Sequence, residues 1–185
     1  MNTGPHPLAA ALAQRLRETE GVSILELGTG SGRNASALRE LGFHVHSIAD
    51  GADYSEFRSE NAPFAAALST HALLHGTPRD VELAVERISA CLLPRAPFYA
   101  TFASKSDSRY GKGTLVARDT YAPESGPERG VAHAYFDEAG LRKMLDPHFD
   151  IETFEEVQVE AIVGRWAHAE RPRGSVHWFV KAVRR

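Results

Sequence analysis

What this sequence has little of narrows it first. It holds one cysteine, Cys91, so no internal disulfide can form and a thiolate zinc cluster is excluded. Cys91 lies among Ile88, Leu92 and Leu93, the setting of a core thiol and not of a nucleophile. An excess of either charge is missing too: 21 Lys and Arg against 24 Asp and Glu leave a formal net charge of -3. That balance exerts no general pull on nucleic acid or an anionic membrane. The acidic residues Asp146, Asp150, Glu152, Glu155, Glu156 and Glu160 further argue against a basic groove. Long apolar runs are absent as well. The longest uncharged stretch, residues 61–78, contains Pro63, Ser69, Thr70, His71, His75 and Gly76, which makes it a poor membrane span. Residues 1–7 lack a positive leader, and residues 8–16 are interrupted by Gln14 and Arg15, so no signal peptide is expected. The expected setting is cytoplasmic and the expected partner a small molecule, with no nucleic acid and no membrane, the chain being a monomer or homodimer.

What is present suits a packed domain. With 185 residues and 43% apolar content, the chain is expected to form one domain over residues 1–185, long enough to bury a full core. Leu8, Leu12 and Leu16 recur every fourth residue after Pro7, which predicts an amphipathic helix beside the first strand. Residues 22–27 (VSILEL) form a short apolar run ending at Gly28, the pattern of a buried parallel strand. Residues 31–41 return to helical spacing and stop at Gly42. Further strands are predicted at 43–49, 64–70 and 98–103, with a helix over 81–93 ended by Pro94. Such alternation predicts an α/β fold with a mostly parallel, doubly wound sheet. Residues 104–135 carry Gly111, Gly113, Pro123, Gly126, Pro127 and Gly130 and read as a long irregular excursion, the kind of segment that serves as a lid. A helix capped by Asp137 follows, and residues 149–162 and 176–183 are expected to close the sheet as an antiparallel pair.

The stretch Ile24-Leu25-Glu26-Leu27-Gly28-Thr29-Gly30-Ser31-Gly32-Arg33-Asn34 carries the chemistry. Glycines let a backbone approach a ligand where a Cβ would collide, and a helix N-terminus offers unpaired N–H groups to an anion. Glu26, at the strand end, can meet an ammonium. A ligand with an amino-acid head group satisfies both. A dinucleotide fingerprint fits less well, since position 33 is Arg and the third glycine falls one residue early.

ELGTGSGRN resembles motif I of the class I S-adenosylmethionine-dependent methyltransferases, and the segment Ser69-Thr70-His71-Ala72-Leu73-Leu74-His75 resembles the motif IV region of small-molecule members. The nearest likeness within the family is its tellurite-resistance-like group. The resemblance implies a Rossmann-like three-layer sandwich with a reversed last strand and S-adenosylmethionine as cofactor. It also implies methyl transfer to a small acceptor by in-line displacement. Glu26, Gly28, Thr29, Gly30, Ser31 and Gly32 would hold the methionine part, with Asn34 and Thr70 beside them and Asp50 or Asp53 on the ribose. One departure stands out. Only residues 50–63 separate the second strand from the motif IV strand, where an extra helix and strand need roughly 30 residues. Six strands are therefore expected, the usual third being missing. Asp53, Tyr54 and Phe57 are the residues that could rebuild the adenine wall.

His71 and His75 are four apart and would share one face of a helix, but no third ligand is evident from spacing, so no metal is assigned. As a cleft-facing pair they are candidates for taking a proton from the acceptor. His75, His133, Arg165, Trp166 and His168 are candidate substrate contacts, the guanidinium fork of Arg165 or Arg173 suiting an anionic group. The rival to an enzyme is a methyltransferase-like binding or accessory protein that keeps the glycine loop but has lost the adenine wall.

Overall fold

The computed structural model describes residues 4–19, 21–159 and 173–185. The chain opens with helix α1 (Pro7–Leu16), strand β1 (Ser23–Leu27), helix α2 (Arg33–Glu40) and strand β2 (His44–Ile48). Strand β3 (Ala66–Ser69), helix α3 (Pro78–Ala90) and strand β4 (Pro97–Ser104) follow. Next come β5 (Thr114–Ala117), β6 (Thr120–Ala122), β7 (His133–Phe136), α4 (Glu138–Leu145), β8 (Phe149–Gln158) and β9 (Val176–Arg184).

The main sheet has the strand order β2-β1-β3-β4-β9-β8. β9 alone in this set runs against both of its neighbours. Among the described residues β2 pairs only with β1, in the register Glu26 opposite Ser47 and Leu27 opposite Ile48. These six strands, one of them reversed, are part of a nine-stranded sheet that β7, β6 and β5 extend beyond β4, so the expected total of six is too low. Among the described residues no strand lies outside β2. Side chains alternate across it. Ile24, Val45, Ala66 and Leu68 face α1 and α2 with Leu8, Leu12 and Leu38, while Leu25, Ala67, Phe98 and Phe102 face α3 and α4 with Val85, Ile88 and Leu141. Three layers result. α1 lies over β3 and β4 and touches α2, and so does not centre on the first strand as expected.

Local chemistry sets the helix starts. Thr77 and Asp80 form a reciprocal capping box on α3, with Pro78 in its first turn. Asp137 accepts from the Gly140 amide at 2.8 Å to start α4. His6 caps α1 through the Leu8 amide at 3.1 Å. α2 differs: it starts at Gly32 in the left-handed conformation, and no side chain caps it. Its first-turn donors are thus not consumed by a cap.

The expectation of an irregular excursion over residues 104–135 needs correcting. β5, β6 and β7 form an antiparallel meander, and β7 then joins β4 in parallel through Ala103–Tyr135 and Ser104–Phe136. The glycines are its turns. A Cβ at Gly113 (φ +87°) would lie 2.3 Å from the Ala122 carbonyl oxygen, a close approach that no other residue permits.

Phe98 is fully buried in β4, and its ring centroid lies 4.9 Å from that of Phe149. Phe98→Ala is expected to cost about 3–5 kcal/mol through lost burial and an unfilled cavity, read as a lower urea midpoint at unchanged slope.

Candidate functional site

The site forms where β1, β2 and β3 end. Glu26 shares a face with Ile24 and so points toward α2, and its residue is 1% exposed. Ser47 Oγ, its register partner on β2, donates to Oε2 at 2.8 Å. Oε1 is buried with no hydrogen-bond partner. Burial pushes the Glu26 carboxyl up from its ordinary range, opposed by the Ser47 hydroxyl, the Arg39 guanidinium and the Asn34 amide. A buried carboxylate with an oxygen that lacks a hydrogen bond is unfavourable unless a donor completes it, and a cationic one does so best.

The glycine loop lies directly beyond. Gly28, Gly30 and Gly32 all have positive φ. The Gly28 amide donates to the Ile48 carbonyl at 3.0 Å and the Gly30 amide to Asp50 Oδ2 at 2.7 Å. A Cβ at Gly28 would meet that of Ala72 at 2.6 Å, whereas at Gly30 and Gly32 it would enter open space. Thr29 Oγ1 reaches the Ile48 carbonyl at 3.4 Å, and Ser31 is exposed at the turn. Asn34, 5% exposed, donates to Thr70 Oγ1 at 3.0 Å and accepts from the His6 amide at 2.8 Å. The segment before α1 is thereby tied to the site. Asp50 and Asp53 part company: Asp50 holds the loop, while Asp53 is turned to the Ser55 amide and hydroxyl, whose hydrogen bonds lower its pKa.

Two readings of the neighbouring residues are overturned. Tyr54 and Phe57 are each 8% exposed and belong to the core on the α3 side, so they do not stand free as an adenine wall. Only Tyr54 keeps an edge on the adjoining cavity, about 360 Å³, which Asp53, Ala72, Leu73, His75 and Asp80 also line. A roomier cleft of about 710 Å³ between α1 and α2, bordered by Ala9, Ala13, Arg17, Leu41 and Phe43, is lined by no acid or histidine among the described residues. His71 and His75 do not share a helical face either, because residues 70–77 run through turns and bends and His71 takes φ +69°.

The two histidines instead join different groups. The His71 ring lies 4.5 Å from His177, and its backbone amide donates to Thr101 Oγ1 at 2.9 Å. Burial, then the neighbouring His177, holds His71 well below the usual imidazole range. His177 and His6 are both pulled down to about 3, mainly by burial, with Arg109 next for His177 and Arg33 for His6. His75 meets His133 through a backbone bridge and a ring contact of 5.1 Å. Glu128 lies between them, 3.2 Å from His133 Nε2 and 3.5 Å from His75 Nε2. Beside this pair the Asp107 carboxylate binds Arg109 at 3.0 Å, Ser175 Oγ at 2.8 Å and the Val176 amide at 3.0 Å. Although burial works against the Asp107 anion, Arg109 and Ser175 keep its pKa low. His6, Asp107, Arg109 and Glu128 were missed from sequence because each is placed by a contact distant in the chain: Asn34 for His6, Ser175 for Asp107 and Arg109, and His75 for Glu128. Arg165, Trp166 and His168 lie outside the described residues, and Arg173 is exposed.

No family model and no curated protein sequence matches the chain. Solved structures do. A SAM-dependent methyltransferase from Methanosarcina mazei superposes with a TM-score of 0.71 at 16% identity, over 97% of this chain and 98% of its own. The chain has a methyltransferase fold. The Burkholderia thailandensis 1,6-didemethyltoxoflavin-N1-methyltransferase, solved with 1,6-didemethyltoxoflavin and S-adenosylhomocysteine, gives 0.66 at 24% identity over 97% and 76%. An S-adenosylmethionine dependent methyltransferase from Mesorhizobium loti gives 0.65 at 19% over 95% and 96%.

A buried imidazole with a folded pKa near 3 stays neutral while the unfolded chain takes up a proton below about 6.5. Stability from His6 is therefore present above pH 6.5 and is lost as pH falls toward 3. His6→Asn keeps an acceptor for the Leu8 amide but does not titrate. Its stability is expected to fall less steeply than that of the parent between pH 6.5 and 4, by up to about 1.4 kcal/mol per pH unit, measured by urea unfolding.

Proposed function

We propose that the chain transfers a methyl group from S-adenosylmethionine to a small-molecule acceptor. The observation that carries this reading is the Glu26 carboxylate, buried with a bare oxygen beside a glycine loop that runs into an uncapped helix. These residues fit an amino-acid head group: Glu26 for the ammonium, and the amides of the loop and the start of α2 for the carboxylate. The open space at Gly30 and Gly32 leaves room for the rest of the methionine part. Thr29, Ser31, Asn34 and Thr70 border it, and Asp50 is the acid placed to reach the ribose once it exchanges the Gly30 amide for hydroxyls. S-adenosylmethionine supplies a sulfonium methyl that is already activated for displacement.

The chain's own task is then orientation, which can supply on the order of 7–11 kcal/mol in well-aligned cases. The meander of residues 104–135 would close the acceptor side and exclude water, with Arg165, Trp166 and His168 as further acceptor contacts. Burial that keeps His71 neutral also makes it a weak base, so it positions the acceptor. Proton removal falls to His75, next to His133 and Glu128. Acceptors in this reading are thiols, amines, hydroxyls and, after the tellurite-resistance-like subgroup, metalloid oxyanions.

A second reading has its own support. β2 is left as the outer strand and Phe57 is committed to the core, so the domain could be a non-catalytic accessory protein with a weakened adenosine site. Calorimetric titration with S-adenosylmethionine and S-adenosylhomocysteine separates the two. Micromolar binding of both is expected, and Gly30→Val should abolish it with an unchanged far-UV spectrum, by filling the open space and straining the loop at its φ of +51°. Silence from both ligands at millimolar concentration overturns the methyl-transfer reading.

A further inference from the structure

We propose that His75, Glu128 and His133 form a binding site for a divalent transition-metal cation of the zinc type, at the wall of the cavity that follows β3. One ligand atom from each residue can be chosen so that all lie within 4.8 Å of one another. His133 Nε2 lies 3.2 Å from one Glu128 carboxylate oxygen, Oε2, and His75 Nε2 lies 3.5 Å from the other, Oε1. Tetrahedral zinc with bonds of about 2.0–2.1 Å separates its ligands by about 3.3–3.4 Å, so a rotation of the carboxylate and of the half-buried His75 ring would bring one oxygen and both nitrogens to that spacing.

The state of His133 gives the second reason. Its Nδ1 lies 2.7 Å from the Val131 carbonyl oxygen, which can only accept, so Nδ1 carries a proton. In the neutral imidazole the lone pair then resides on Nε2, the atom that faces Glu128. The side chain is 2% exposed, and Nε2 is buried without a hydrogen-bond partner. His75 Nε2 is likewise buried and without one. Two imidazole nitrogens, neither with a hydrogen-bond partner among the described residues, therefore converge on one carboxylate. A single proton would join one nitrogen to the carboxylate and leave the other facing it, whereas a cation joins all three.

Backbone contacts hold the arrangement. The Ala134 amide donates to the Leu74 carbonyl at 2.8 Å and the Gly76 amide to the Ala132 carbonyl at 2.8 Å. They clamp the His75 and His133 backbones together from either side. The Nδ1 contact to Val131 is the outer-shell hydrogen bond that orients many metal-bound histidines. Arg109 approaches Glu128 to 3.9 Å, but its charge is already met by Asp107. Two histidines and a glutamate, with a position left for water or substrate, form a donor set suited to zinc. His75 also lines the cavity with Asp53 and Tyr54, so with its Nε2 committed to the metal, the bound cation in place of a free His75 imidazole would make an acceptor atom lose its proton more easily there.

The test needs no turnover. Full-length chain, stripped with chelator and desalted, is titrated with Zn2+ by calorimetry and with Co2+ by visible absorbance. One equivalent of Zn2+ and the intense d–d bands of low-coordinate Co2+ are expected. Loss of an outer-shell partner alone costs roughly 10–100-fold in affinity, so His133→Ala and Glu128→Gln should each cost more, while the exposed His44→Ala changes nothing. His75→Ala, at the half-buried ligand, should lose the bands even if His133→Ala fails to fold. Absence of stoichiometric binding, or binding unchanged in His75→Ala and Glu128→Gln, overturns the assignment. The methyl-transfer reading fails separately, on the cofactor titration in metal-free buffer.

Discussion

A carboxylate buried at the end of a parallel strand is the constraint around which the site is organised. Glu26 is flanked by β2 and β3, so water cannot solvate it and one hydroxyl on the neighbouring strand must do part of that work. The register Glu26–Ser47 is therefore more than a packing detail. A shift of β2 by one residue would put Ser47 on the other face and leave the carboxylate without its donor. The glycine loop follows from the same placement. The chain must turn at once from β1 into α2, and it does so through three left-handed glycines, one of them in a space where a Cβ would strike Ala72.

Beyond the first βαβ unit, the carboxyl edge is furnished by segments far apart in the chain. Asn34 joins the segment before α1 to the residue after β3, through His6 and Thr70. Asp107 joins the turn after β4 to the start of β9, through Ser175 and the Val176 amide. The imidazoles of His6, His71 and His177 are kept neutral by burial between these ties. This edge of the sheet thus combines neutral, buried imidazoles on the side of β9 with an ionic group, Glu128 and Arg109, on the side of β7.

The parts legible in the sequence are those whose causes are local. VSILEL is buried because it is uniformly apolar, and the loop after it turns because of its glycines. The short interval between residues 50 and 63 agrees with β2 having no outer neighbour among the described residues, whereas the total of six strands it suggested is exceeded by the three strands of residues 114–136. Turn chemistry was the point of failure in residues 104–135. Gly113, Gly126 and Gly130 read as irregularity, yet each supplies a positive φ in a meander whose strands are too short to show clear alternation. The pairing of His75 with His133 was illegible for another reason. It depends on β7 returning beside the turn after β3, a contact between residues 58 positions apart that no periodicity records. Glu128, in a polar turn, gave no signal until that return was seen.

The position of β9 bears on how the chain is made. β9 lies between β4 and β8, pairing Pro97 with Val183 on one side and Phe149 with Arg184 on the other. A nascent chain that ends before residue 176 has an open hydrogen-bonding edge on β4 and a complete but partnerless β8, both of which invite pairing with another molecule. The sheet closes only when a strand is threaded between two others already synthesised, a non-local step that topology makes slow. Protection of these edges during synthesis is therefore a requirement that the order of strands imposes on the cell.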